Sequence, residues 1–433
     1  MIYNLNLSNL ISCIMHKRTF LKSITLAGLG IPQIGKSMST NLLIEPIGAA
    51  SVVAKDENFW KSVRSMYKIK PDYINLESGY YNMLPEETLN QYLSIIKEVN
   101  YHASFYMRTR QFKERAAQNK LIAQFLGGTE EEIVLTRNTT ESLDLIISGY
   151  PWNIGDEAIF AEQDYGAMID MFKQVAKRHG VVNKMVSVPN IPKSDEEIVG
   201  IYEKAITKKT KLIMLCHIIN ITGQILPIKK ICDMAHKYGV EVMVDGAHAV
   251  AQIQFNIKEL GCDYYGASLH KWLAVPLGVG VLYVKKEHQN KIWPLIGENE
   301  SVMGINRLNH FGTNPVHTYL ALQFAIDFHN KIGPANKEER LRYLQQYWTS
   351  KLATTPNIIL NTPTDAERSC AIANVGIKGL KPADMAETLL KKYNIYTVAI
   401  DGAGVHGCRI TPNVFTTLDE LDKFVDALKQ MAA

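Results

Sequence analysis

Two charged side chains stand where a soluble protein would not normally spend them. Asp245 closes the apolar run Glu241-Val242-Met243-Val244-Asp245, and Lys271 lies between His270 and Trp272 after Tyr264-Tyr265-Gly266-Ala267-Ser268-Leu269. A carboxylate at the C-terminal end of a buried parallel strand sits where open α/β sheets bind their ligands. Taken alone, it would as often be a helix cap or a metal ligand. Lysine is seldom buried unless it is paired or used. Desolvation or a nearby positive charge lowers its pKa and makes the amine a nucleophile toward an aldehyde, which is the chemistry of Schiff-base formation. A surface lysine on a turn is the plainer alternative. A third segment, Arg137-Asn138-Thr139-Thr140-Glu141, follows a strand and opens a helix. Backbone N–H groups at such a helix start can cradle a phosphate, although a simple N-cap would use the same residues.

These residues need a scaffold that brings strand ends to one edge, and the hydrophobic pattern supplies one. From about Ile74 onward, short apolar β-branched runs alternate with helical patterns, as in a parallel sheet covered by helices. Strands are expected at 132–136, 157–161, 184–188, 211–217, 241–245, 264–268 and 280–284, with helices at 140–148, 166–179, 194–205 and 228–238. Seven strands fit one large, mainly parallel, doubly wound sheet. After about Gly312 the pattern changes to a long helix over 315–332, a charged helix over 337–352, strands near 372–375 and 395–398, and a final amphipathic helix over 417–431 with Leu418, Leu421, Val425 and Leu428 on one face. The expectation is an α/β protein with a large domain over 76–312 and a smaller α+β domain over 313–433. Residues 1–45 read as a leader, and 46–75 as a segment packing on the small domain.

The order strand-Asp-Gly-Ala-His, then Ser-Leu-His-Lys-Trp, resembles the class V aminotransferase family of fold-type I enzymes that use pyridoxal 5′-phosphate, in particular the isopenicillin N epimerase-like branch. The resemblance runs from about Ile74 to the C-terminus. It implies that Lys271 holds the cofactor as a Schiff base, that Asp245 pairs with the pyridine nitrogen, and that Asn138, Thr139 and Thr140 grip the phosphate. It further implies phosphate contacts from Ser268 and His270, a phosphate or phenolic-oxygen contact from His248, and a hydrogen bond from Asn220, in Asn220-Ile221-Thr222-Gly223, to the cofactor's 3′-oxygen. Tyr165, after Glu162-Gln163-Asp164, takes the position of the ring stacked on the cofactor face, with a buried core tyrosine as the alternative. Gly312 and Thr313 correspond to an element that reaches the neighbouring subunit's phosphate, so the resemblance implies a homodimer with sites near its interface. Arg409, in Gly407-Cys408-Arg409-Ile410-Thr411, takes the place of the arginine that clamps a substrate carboxylate through its planar fork; a domain-interface arginine is the alternative. Tyr80 and Tyr81, in Asn75-Leu76-Glu77-Ser78-Gly79-Tyr80-Tyr81-Asn82, fall in the substrate-facing N-terminal stretch.

Transamination, epimerisation and β-elimination share a first carbanion and diverge on secondary groups. Epimerisation needs a second proton donor, for which Tyr80, Tyr81 and His217 are candidates. Cysteine desulfuration is the sibling activity, but residues 391–407 contain no cysteine and Cys408 abuts Arg409. A non-catalytic ligand-binding protein of the same fold is the reading from another class. Net charge of only +4, partly from Lys17, Arg18, Lys22 and Lys36, shows no basic surface for nucleic acid. The six cysteines form no C-x-x-C pair, which argues against a structural zinc and against a disulfide framework, and no metal is expected. Lys17-Arg18-Thr19-Phe20-Leu21-Lys22 before the short apolar run 24–34 resembles a twin-arginine export signal, with Met15 as a possible true start and cleavage open between 37–39 and 48–50. That implies a periplasmic enzyme without stable membrane association; a cytoplasmic enzyme with an N-terminal extension is the alternative.

Overall fold

The computed structural model describes residues 45–297 and 301–433. The export-like stretch at Lys17–Leu21, Met15 and the first cleavage position lie outside the described residues. In chain order the strands are β1 (Ile74–Asn75), β2 (Ile133–Thr136), β3 (Glu157–Ala161), β4 (Val182–Val186), β5 (Thr210–Cys216), β6 (Glu241–Asp245), β7 (Tyr264–Ser268) and β8 (Gly280–Val284). They are followed by β9 (Ile358–Leu360), β10 (Ala373–Ile377), β11 (Ile395–Tyr396), β12 (Val398–Gly402) and β13 (Val405–Ile410).

The seven-stranded sheet runs β2-β8-β7-β6-β5-β3-β4. Pairings among β4, β3, β5, β6 and β7 are parallel, while β8 is antiparallel to both β7 and β2. Because β8 reverses twice, the C-terminal ends of β2, β3, β5, β6 and β7 all reach the same edge. Successive side chains on these strands enter opposite layers, as the two-residue period of a strand requires. Ile213, Leu215, Val242 and Val244 join one apolar cluster, and Leu212, Met214 and Met243 join the other. Burial on both faces explains why these strands read as unbroken apolar runs.

Six of the seven expected strands lie within a residue or so of their expected bounds. The seventh, β4, begins two residues earlier than the pattern suggests, pairing Val182 with Glu157. It is an edge strand with Val182 and Met185 exposed, so burial does not mark its register. Two helices that the sequence reading did not place, Glu86–Thr109 and Gln111–Leu126, precede β2. The expected long helix over 315–332 is two helices, Val316–Leu320 and Leu322–Ile332, divided at Ala321, whose N–H bonds Thr318 in a tighter turn.

The C-terminal sheet is antiparallel in the order β12-β13-β10-β9. β9 and β13 are additions to the two expected strands, and the expected strand over 395–398 is shared between β11 and β12. β11 pairs in parallel with β1, tying the segment before residue 76 to this half of the chain. The same segment is held by Arg64, which forks onto Glu420, and by Glu57, which forks onto the buried Arg340. The last helix, Leu418–Ala432, starts with a capping box of Thr417 and Glu420 and packs Phe424 edge-on against Trp348 at 5.4 Å between centroids. Leu421, Val425 and Leu428 of the expected face are buried, while Leu418 is only partly covered.

Candidate active site

At the shared edge of the large sheet lies a cavity of about 320 Å³ whose wall includes Asp245, His248, Ser268, His270, Lys271 and Arg409. Each strand end supplies part of it. Asn138, Thr139 and Thr140 follow β2, Tyr165 follows β3, Asn220 follows β5, Asp245 and His248 close β6, and Ser268 to Lys271 close β7.

The β2 corner is built around a helix start. Asn138 caps the helix Thr139–Gly149 by accepting the Glu141 N–H at 2.8 Å. The Ser268 hydroxyl accepts the Thr139 N–H at 2.9 Å and lies 2.7 Å from the Thr139 hydroxyl. Two hydroxyls and the positive end of a helix therefore converge, which favours an anion.

Asp245 is buried and accepts the Ala247 N–H at 2.9 Å. Burial pushes its carboxyl pKa up, against the pull of Lys271 and of that N–H. The turn that carries it needs Gly246, because a Cβ there would fall about 2.0 Å from the Tyr265 ring. Burial also drives the Lys271 amine down to about 8, helped by Arg409 and opposed by Asp245.

His248 decides what the lysine meets. Its Nε2 lies 3.0 Å from Lys271 Nζ, and its Nδ1 faces the Trp272 indole nitrogen at 3.3 Å. Indole can only donate, so Nδ1 accepts. Burial first, then Lys271, Arg409 and His270, hold the imidazole far below its usual range, so the ring is neutral and its one proton is on Nε2. That proton points to the lysine nitrogen, where only an unprotonated amine can accept it. Trp272 and His248 thus favour the free base of Lys271, which with a pKa of about 8 is present alongside the ammonium near neutral pH. His270 is likewise depressed to about 4, by burial and then by Lys271.

Arg409, on β13, reaches the cavity from the smaller sheet. Its Nε and Nη2 fork onto the two oxygens of Glu77 at 3.2 and 2.5 Å, and Nη1 bonds the Asn220 carbonyl at 3.2 Å. The segment carrying Glu77 lies alongside Thr411, whose N–H bonds the Leu76 carbonyl. Gly79 passes so near that a Cβ would lie 3.4 Å from the guanidinium carbon.

Of the residues singled out in the sequence, Asn138, Thr139, Thr140, Tyr165, Asn220, Asp245, His248, Ser268, His270, Lys271, Arg409 and Tyr80 share this cavity. Tyr81 lies outside its wall, packed 6.4 Å from the His270 ring. Gly312 and Thr313 are exposed and also outside it. His217 turns away, with Nδ1 3.1 Å from the Tyr265 hydroxyl, and burial depresses it to about 3. Sequence reasoning overlooked the lining residues Arg137, Cys216 and Gly278, as well as Glu77 behind Arg409. Arg137 opens the segment already quoted and Cys216 immediately precedes His217, so a strand-end rule that takes in each neighbouring residue finds both. Cys216 is the only cysteine in the wall among the described residues, and burial raises its thiol well above the ordinary range. Cys408 instead points its sulfur at the Pro382 carbonyl, and burial lifts it to about 11.

The donors fit an aldehyde cofactor carrying a phosphate and a ring nitrogen. An amine and a buried carboxylate share one cavity with an anion-favouring helix start. Asn220 Oδ1 and His270 Nδ1 are buried there without a hydrogen-bond partner among the described residues.

Residues 82–418 match the profile of the family described as aminotransferase class-V. Isopenicillin N epimerase of Streptomyces clavuligerus is 26% identical over 393 residues, covering 85% of this chain and 97% of that protein. A probable cysteine desulfurase of Halalkalibacterium halodurans is 29% identical over 288 residues, covering 63% of this chain and 69% of that protein. Among solved structures, the apo cysteine desulfurase of Thermococcus onnurineus NA1 superposes with a TM-score of 0.77 at 22% identity, over 86% of this chain and 98% of that one.

Proposed function

From the premise that this chain belongs to the class-V aminotransferase family and takes pyridoxal 5′-phosphate as its cofactor, we propose that it moves a proton at the α-carbon of an amino-acid-derived substrate, as an epimerase or aminotransferase. When bound, the cofactor supplies an aldehyde that condenses with amines and a ring that withdraws electrons from the adjacent carbon. The observation that carries the reading is the Lys271 amine, lowered to about 8 by burial and facing His248 in the same cavity as buried Asp245.

The chain's own groups divide the work. Thr139, Thr140, Ser268 and the helix start would hold the phosphate, and Asp245 would hold a proton on the ring nitrogen. The Asn220 side-chain amide N–H would donate to the cofactor's 3′-oxygen, and His270, as the Nδ1–H tautomer, would donate to the phosphate. Tyr165 would cover one ring face. Once freed, Lys271 takes and returns a proton as a base of near-neutral pKa. Tyr80, exposed on the cavity wall, is the better placed of the candidate second donors, since Tyr81 and His217 lie outside that wall. Gly312 and Thr313, exposed outside this cavity, suit a homodimer in which that turn approaches the partner's phosphate. The twin-arginine-like leader supports an exported, periplasmic enzyme.

Incubation of the holoenzyme with D- and L-amino compounds in deuterated water tests the reading. Deuterium at the α-carbon without keto product indicates epimerisation, and keto product with aminated cofactor indicates transamination. Sulfide or persulfide from cysteine, without such exchange, would contradict both and favour desulfuration. The high thiol pKa at Cys216 and the orientation of Cys408 argue against that outcome.

A further inference from the structure

Arg409 would be expected to offer a fork to a substrate carboxylate, yet its Nε–Nη2 fork already holds one. Nε and Nη2 each give an N–H to Glu77 and Nη1 gives one to the Asn220 carbonyl, which leaves one N–H on each Nη beside an already balanced charge. Arginine and glutamate are each almost wholly buried, so their charges cancel at short range with little water to screen them. A second carboxylate would have to share a neutralised guanidinium with Glu77 while facing that residue's negative charge.

The rest of the wall offers no substitute. Its other cations are Arg137, which pairs with Glu141 at 2.7 Å, and Lys271, which shares the cavity with Asp245. Three cations thus meet three carboxylates, and His248 and His270 are neutral. The phosphate of the bound cofactor adds further negative charge. Such a field attracts an ammonium group and repels a carboxylate.

We propose that Glu77 is a positioning residue that sets substrate class by neutralising Arg409 and occupying its Nε–Nη2 fork, so that the site prefers amino-acid-derived substrates whose α-carboxyl is amidated or absent over free α-amino acids. The proposal rests on the reading of the cavity as an amino-substrate site and narrows it. Glu77 also has a built reason to stay in place. Its backbone is bridged to Thr411, the residue two beyond Arg409 on the same chain segment, so acid and base are set by one local register.

The test compares alanine, phenylalanine and glutamate with their α-amides on the holoenzyme, using dissociation constants from calorimetry and α-proton exchange in deuterated water. Wild type is expected to bind the amide of each responsive pair more tightly than the acid. Glu77→Gln keeps the side-chain shape and the backbone bridge while removing the charge. It is expected to shift the acid-to-amide affinity ratio toward the acid by about ten-fold, the scale of one charge-assisted contact. Tighter binding of the acids by wild type, which needs no variant, overturns the proposal. So does a Glu77→Gln enzyme in which acid and amide weaken together, the mark of a purely structural pair. Failure of the underlying site reading looks different: no amine of either kind exchanges its α-proton.

Discussion

The two ends of the cavity treat their cations in opposite ways. At the large-sheet end, burial outweighs the pull of Asp245 on Lys271 and, with His248 beside it, brings its amine down to about 8. At the small-sheet end, Arg409 keeps its charge and has it balanced, with Glu77 on its Nε–Nη2 fork and the Asn220 carbonyl on Nη1. Chemistry needs a group held away from its preferred protonation state. Selection needs a group whose charge is already balanced. The first is built locally, from residues 245–272 at the ends of two neighbouring strands. The second is assembled from segments 332 residues apart.

Perturbations of the first end should be far the larger. Lys271→Ala is expected to lower turnover by at least about 10³-fold, since it removes both the cofactor's attachment and the acid/base group; steady-state rates with an added amine as rescue would check this. Asp245→Asn should retain the fold and bind cofactor while losing about 10²-fold in turnover, the scale of removing one preorganised charge. Comparing turnover at saturating cofactor separates this loss from weaker binding.

The pH dependence sharpens the contrast. Only the unprotonated amine attacks an aldehyde, so the rate of cofactor incorporation into cofactor-free protein should fall as pH drops below about 8 and level off above it. A lysine of ordinary pKa would keep the rate rising toward pH 10, and stopped-flow reconstitution distinguishes the two. Smallest of all, Trp272→Phe deletes the donor that fixes the His248 tautomer. One net hydrogen bond is worth about 0.5–1.5 kcal/mol, so activity should drop roughly three- to ten-fold and the reconstitution midpoint should rise by less than about one pH unit. An unchanged midpoint would mean that the tautomer is set otherwise.

The same contrast accounts for what the sequence made legible. Asp245 and Lys271 stand out because each follows an apolar run buried on both faces, and the helix start at Thr139 because capping residues follow a strand. β13 was not recognisable, since Val405-His406-Gly407-Cys408-Arg409-Ile410 mixes polar and apolar residues on a sheet partly open to solvent. Glu77 carries no signal of its own in Asn75-Leu76-Glu77-Ser78-Gly79-Tyr80-Tyr81. Its significance comes from a partner that only the parallel bridge to Thr411 brings near, and no local spacing encodes that. The Trp272-His248-Lys271 relay was hidden for a related reason: the three residue types were visible, but the direction of the proton depends on which imidazole nitrogen faces the indole.

Lys337 offers a demanding control, being a second buried lysine that burial depresses to about 7, on the helix Pro334–Leu352 and outside the cavity wall. The decisive measurement is borohydride reduction of the holoenzyme followed by peptide mapping by mass spectrometry. The account predicts that the reduced cofactor's mass is carried by the peptide containing Lys271 alone; its appearance on Lys337 or any other lysine, or its absence from the whole chain, would contradict it.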